Sequence, residues 1–308
     1  MRIRKGRYFL SRVVKINLSQ ENLIDAICNP AIIKIGKYNW TITDMVDKRD
    51  DESLPFIYGR LVKYADDTQD VVDEYNHTQG QSMTANLVKA SSPFVYLPRF
   101  SGLCFLHVYN GIESETFPRR FKKIIEDARN LKYNDLLIEC DVDAISDYAS
   151  FRNKIIMIKK ITQIEATVSP PNPLFGRIWK SLKETLEKRN TSTLRINEES
   201  EKREGLKTNL HDLVNSIEKN NISNRIAGLV EKLNELKNSL PDAAILMAAD
   251  GYGTGKVAGE DNNGEIIEVR TRDVQKSFLF EKDPSPDFLA RKANEEFIKV
   301  SEERKMEH

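Results

Sequence analysis

Three carboxylates alternate with apolar residues in a short predicted strand. Glu139, Asp141 and Asp143 are separated by Cys140 and Val142, and successive side chains of a strand point to opposite faces. The carboxylates therefore share one face, where they could hold Mg²⁺ for phosphodiester hydrolysis. The same alternation is typical of the solvated side of a half-buried strand. A metal-dependent nuclease and a plain solvated face are both open, and Mg²⁺ is expected only for the nuclease; otherwise no cofactor is expected.

Cations are concentrated in two parts of the chain. The first 15 residues carry six Lys or Arg and no acid, and a predicted helix that begins near residue 117 carries four more cations. Basic arms and basic helix faces commonly contact DNA phosphates without reading base sequence, although a solvated strand and helix face would have the same composition. The candidate nucleic-acid contacts are Arg2, Arg4, Lys5, Arg7, Arg119, Arg120, Lys122 and Lys123.

A glycine-rich segment, 251–256, ends in lysine like a phosphate-binding loop. Asp250 stands where such a loop has its first glycine, and Val257 stands where it has a metal-binding hydroxyl. The segment is therefore predicted to be a hairpin turn. The four histidines and three cysteines are scattered, without the spacing of metal ligands.

The composition is that of a folded chain with balanced charge. The 308 residues include 47 Lys plus Arg and 47 Asp plus Glu, with 40% hydrophobic residues, which excludes disorder as the main state. Zero net charge hides a local excess of acid, because residues 44–74 carry ten acids against four cations. Apolar runs fall well short of the roughly 20 residues that span a bilayer. No membrane insertion and no secretory signal are expected, and the protein is expected to be cytoplasmic.

The elements that must position these residues are predicted by hydrophobic spacing. Residues 1–110 indicate a β-rich domain with one short helix capped by Ser19. Residues 111–308 indicate a mixed domain, so the fold class is α+β. Its predicted strands are 135–143, 154–168, 243–249, 254–258 and 265–270. Its predicted helices begin near residue 117, at Pro173 and after Ser285.

The predicted helical stretch 206–240 has a heptad pattern in its second part. The apolar residues follow steps of four and three, which is typical either of a helix packed on its own domain or of a homodimer seam. The candidate seam residues are Ile222, Ile226, Leu229, Leu233 and Leu236.

Two stretches carry a family resemblance. Residues 161–173, followed by Trp179, and residues 247–253 resemble a family of uncharacterised bacterial proteins found in phage-defence regions. The order of parts is also similar to that of RexA, the DNA-binding sensor of the lambda phage exclusion system. The resemblance implies a homodimer, sequence-independent DNA binding and a partner effector, and it transfers no catalytic residue. A phage-exclusion component is thus the leading hypothesis, with the nuclease and a protein-only interaction module as alternatives.

Overall fold

The computed structural model describes residues 4–73, 75–130, 138–169, 186, 188–189, 191, 193–201, 204–216 and 240–304. The helices in this part of the chain are α1 (Gln20–Cys28), α2 (Thr116–Asn130), α3 (Tyr148–Met157), α4 (Leu210–Ser216), α5 (Leu240–Ala249) and α6 (Pro286–Arg304). The strands are β1 (Lys5–Ile16), β2 (Ile33–Ile35), β3 (Tyr38–Lys48), β4 (Phe56–Asp73), β5 (Thr78–Leu97), β6 (Gly102–Leu106), β7 (Glu139–Ala144), β8 (Lys160–Val168), β9 (Leu194–Glu199), β10 (Gly253–Glu260), β11 (Ile266–Arg270) and β12 (Ser277–Glu281). The predicted α+β class is confirmed.

A large antiparallel sheet has the strand order β12-β1-β6-β5-β4-β3-β2. β12 and β7 follow one another along the edge of β1 that is opposite β6. The sheet therefore takes strands from both sides of residue 110, where the sequence predicts a domain boundary. That boundary stays a prediction.

Helices cover both faces of the large sheet. α1 and α2 pack on one face, where Phe117 stacks on Phe105 with ring centroids 4.2 Å apart. α6 packs on the other face, where Phe297 stacks on Phe100. The local start of α1 is as predicted, because the Ser19 hydroxyl accepts a hydrogen bond from the Asn22 amide at 3.1 Å.

A smaller antiparallel sheet has the order β11-β10-β8-β9. Its core face packs against α3, α4 and α5 through a cluster that includes Ile164, Val168 and Val257. The large sheet contacts the part of the chain that carries the smaller one where the Arg12 guanidinium of β1 donates to the backbone carbonyl of Asp250, between α5 and β10, at 2.8 Å. Arg12 is 1% exposed, so this contact lies in the interior.

One predicted strand is wrong and another is too long. Residues 243–249 form helix α5, and every residue of this segment is buried. A run that is apolar on all sides has no periodicity, so a buried helix and a buried strand look alike in sequence. Residues 154–168 divide into the end of α3 and strand β8, with the turn at residues 158–159. The predicted helix at Pro173 lies outside the described residues.

Candidate nucleic-acid interface

The smaller sheet has one polar face that none of the described helices covers. Along β8, Ile164, Ala166 and Val168 point into the core, so the intervening Glu165 and Thr167 point away from the helices. The register aligns this polar face across the sheet, because Lys256 lies opposite both Glu165 and Arg270. The sequence alternation thus gives the sheet an apolar side and a charged side.

A cleft of about 540 Å³ lies on this charged side. It extends across all four strands, a width of about 14 Å given strand spacings near 4.8 Å. Among its lining residues are four cations and one carboxylate, and the cations are Arg195, Lys256, Arg270 and Arg272. We call this surface the basic cleft.

Two of the four cations are paired with carboxylates, Lys256 with one on the neighbouring strand β8 and Arg270 with one on its own strand, β11. Lys256 Nζ lies 3.0 Å from Glu165 Oε1, and Arg270 Nη2 lies 2.5 Å from Glu268 Oε1. Arg195 and Arg272 are exposed and make no ion pair with any carboxylate of the described residues. The basic cleft therefore keeps two positive charges free for an anionic ligand.

The glycine-rich segment builds one end of the cleft, but not as the predicted hairpin. Gly251 has φ +85° and ends α5, with its amide bonded to the Ala248 carbonyl and the Tyr252 amide bonded to the Met247 carbonyl. This pair of hydrogen bonds is the Schellman arrangement that closes many helices. The segment is thus a helix-to-strand turn.

Gly253 lets β10 begin close to β8. Its φ is +150°, and a Cβ at this position would lie 2.0 Å from the Thr167 carbonyl oxygen. Two residues later, the Gly255 amide donates to the Thr271 hydroxyl at 3.1 Å, which holds the turn that carries Arg272 against the start of β10. Glycine is required here by backbone proximity, not by phosphate wrapping.

The predicted basic groups lie elsewhere and far from each other. Lys5 and Arg7 are exposed at the β12 end of β1, and Arg4 is exposed just before it. The other basic group lies on α2, which contacts Asp141 opposite Val14. Nine residues of extended strand separate Lys5 from Val14, or about 30 Å. The structure does not bring the two groups together, and Arg2 lies outside the described residues.

Three of the four α2 cations are paired with acids. Lys122 contacts Asp141 at 2.6 Å and Glu126 at 3.3 Å. Arg119 pairs with Glu115 and Lys123 pairs with Asp127, each one helical turn away. The fourth, Arg120, instead lies over the ring of Trp40, with its guanidinium carbon 5.2 Å from the ring centroid.

Asp141 of the acidic strand β7 belongs to the same network of ion pairs. The Lys122 ammonium forms an ion pair with the Asp141 carboxylate. Burial, together with the Asp141 charge, raises the pKa of Asp143 to about 7. Glu139 lies at the start of β7, opposite Ile16. Within the described residues, no three His, Cys, Asp or Glu side chains are grouped closely enough to hold a metal ion. The arrangement of these carboxylates therefore does not favour the nuclease hypothesis.

The seam residues Ile222, Ile226, Leu229, Leu233 and Leu236 all lie outside the described residues.

The sequence analysis did not predict the basic cleft. Arg195 alternates with Leu194 and Ile196 in a strand that was not predicted, whereas Arg270 ends the predicted strand 265–270 and Arg272 follows it. The alternation around Arg195 was the available signal, but its cationic neighbours are distant in sequence.

Fold and cleft define an α+β protein in which a layered sheet-and-helix body carries a second sheet with an exposed basic face. The chain belongs to the family described as Domain of unknown function (DUF4747), whose model matches residues 21–224. No curated protein matches the sequence. Among the described helices, none is both long and apolar enough to cross a membrane.

Proposed function

We propose that this protein binds nucleic acid through its phosphates, with the basic cleft as the contact surface. One observation carries the proposal. Arg195 and Arg272 line a cleft of about 540 Å³, and both are exposed and have no carboxylate partner among the described residues. Guanidinium groups suit phosphate oxygens, because their planar donors can form two parallel hydrogen bonds.

The lining of the cleft favours binding that is independent of base sequence. None of the described residues that line the cleft is aromatic, so these residues offer no ring on which a splayed base would stack. A flat sheet face also differs from the helices that enter the major groove to read base edges. Phosphate contact without base contact gives affinity that depends on salt and very little on sequence.

In the fuller form of the proposal, the protein is a cytoplasmic phage-exclusion component. It binds DNA as a homodimer and signals to a partner effector that is encoded nearby. The support for this form is the resemblance of residues 161–173 and 247–253 to proteins of phage-defence regions, together with the heptad pattern at 222–236. The protein would act as a sensor and leave catalysis to the effector.

The test is the salt dependence of DNA binding. Fluorescence anisotropy with a labelled duplex of random sequence should give an affinity that falls steeply between 50 and 200 mM salt, as is typical of phosphate contacts. Arg195→Gln combined with Arg272→Gln should reduce the slope of log affinity against log salt by about 1.8, because each lost phosphate contact removes about 0.9.

The matched control removes the same charge from another exposed surface. Lys282→Gln combined with Arg291→Gln should leave the affinity and the slope unchanged, since both residues are exposed away from the cleft. Absence of binding at 50 mM salt, or equal effects of the two double variants, would overturn the proposal. Light scattering on the same samples tests the homodimer.

A further inference from the structure

Two aromatic rings and three cations meet at the β2 end of the large sheet. Trp40 of β3 lies opposite Ile33 on one side and Lys63 on the other. Tyr38 precedes it on the same face, and Arg120 of α2 lies over the Trp40 ring. This position is at the rim of the core between the sheet and α2.

The cations lie over the rings at short range. Lys63 Nζ is 3.9 Å from the Tyr38 centroid and 5.7 Å from the Trp40 centroid. Lys37 Nζ is 5.4 Å from the Tyr38 centroid, and the Arg120 guanidinium is 5.2 Å from that of Trp40. Ring faces attract cations through their quadrupole. A ring, unlike a carboxylate, leaves the net charge of the cation in place.

These three cations have no carboxylate partner among the described residues. The contrast with their neighbours is sharp, because Arg119 and Lys123 on the same helix each pair with an acid one turn away. Burial and the nearby charge of Arg119 lower the pKa of Arg120, which is the direction expected for a cation that lacks an acid beside it. Three positive charges are thus gathered without compensation.

Two buried donors in the same place also lack hydrogen bonds. Trp40 is 3% exposed, and neither its Nε1 nor the Arg120 Nε has a hydrogen-bond partner in the structure as described. Buried polar groups are nearly always paired in folded proteins. An incoming acceptor would satisfy these donors while it neutralised the charges around them.

We propose that Lys37, Tyr38, Trp40, Lys63 and Arg120, the aromatic–cation patch, bind the phosphates of a nucleic acid. The inference rests on the proposed function for the class of ligand, and it adds a second contact surface on the other sheet. The patch differs from the basic cleft because its cations are fixed over rings. Their side chains lose less freedom when a phosphate binds.

The first experiment uses two double variants of equal charge. Lys63→Gln with Arg120→Gln should weaken DNA binding at least fivefold and lower the salt slope by about 1.8. Lys282→Gln with Arg291→Gln is again the control, because both residues are exposed and lie outside the patch. The control should bind as the wild type does. Equal loss in both variants, or no loss in the first, would overturn the patch. Circular dichroism melting should be similar for both.

The second experiment separates the patch from the proposed function. The chain has two tryptophans, so Trp179→Phe leaves Trp40 as the fluorescent reporter. Titration with inorganic tripolyphosphate should change Trp40 fluorescence with saturation, and Lys63→Gln with Arg120→Gln should abolish the change. If the wild type binds no DNA but shows this saturable change, the proposed function fails and the patch stands as an oligophosphate site. If no saturable change occurs, the patch is overturned, whatever the basic cleft does.

Discussion

Asp143 lies in β7, opposite Arg12 of β1, and its replacement by Asn should remove a pH-dependent loss of stability. Burial, together with the charge of Asp141 and against the opposing charge of Lys122, raises the pKa of this carboxyl from its ordinary 3.8 to about 7. Asn has nearly the same shape and does not ionise. The substitution therefore isolates the cost of the charge.

The sign follows from proton binding. Below pH 3.8 the carboxyl is neutral in both folded and unfolded chains, so it adds no penalty. Between pH 3.8 and 7 the folded state holds the proton more tightly, so the free energy of unfolding falls as pH rises. Above pH 7 the penalty is complete. An interval of about three pH units at about 1.4 kcal/mol each gives an upper bound of about 4 kcal/mol.

The assay is urea unfolding of the wild type and of Asp143→Asn at pH 4 and pH 8. The stability of the variant relative to the wild type should increase by about 2 to 4 kcal/mol from the lower pH to the higher one. Taking the difference between the two proteins cancels the titration of all other carboxyls. A difference that stays constant across the two pH values would refute the assignment of a raised pKa to Asp143.

Four further measurements test the packing, the turns, the thiols and the acidic strand. Phe297→Ala should lower the free energy of unfolding by about 3 to 5 kcal/mol in urea titrations, because the ring is fully buried against the large sheet. Gly253→Ala should cost about 2 kcal/mol or more by thermal melting, whereas Gly264→Ala, which meets no atom within 4 Å, should cost only the left-handed backbone term of about 1 kcal/mol. Ellman's reagent should modify only Cys28 in the native protein, because the other two thiols are buried. Plasmid DNA incubated with the protein and Mg²⁺ should stay intact, since Lys122 already occupies Asp141; linear or nicked products on a gel would restore the nuclease hypothesis.

Elements with local determinants were predictable from the sequence. The cap at Ser19 and the three- and four-residue spacing from Phe117 place α1 and α2 close to their observed bounds. The spacing from Leu289 to Val300 does the same for α6, whose predicted apolar face is fully buried. These patterns sufficed because helix starts and amphipathic faces depend on residues within one or two turns.

Elements without local periodicity were not predictable. The α5 segment is apolar on every side, so its spacing does not separate a helix from a strand, and in the fold it packs as a helix on the core face of the smaller sheet. The glycine turn was misassigned for a related reason, because its type depends on whether a helix or a strand precedes Gly251. The incorrect strand predicted at 243–249 therefore led to an incorrect turn type at Gly251.

The candidate sites show the same division. The sequence by itself determined that cations cluster near Arg120 and that the protein is α+β. Only the tertiary structure decided which cations keep their charge free, since α2 packs so that Lys122 meets Asp141 of β7 while Arg120 meets Trp40 of β3. It also assembled the basic cleft from Arg195 and Arg272, which are remote in sequence. Charge type is a property of each residue, whereas neutralisation depends on what the fold places within a few ångströms of it.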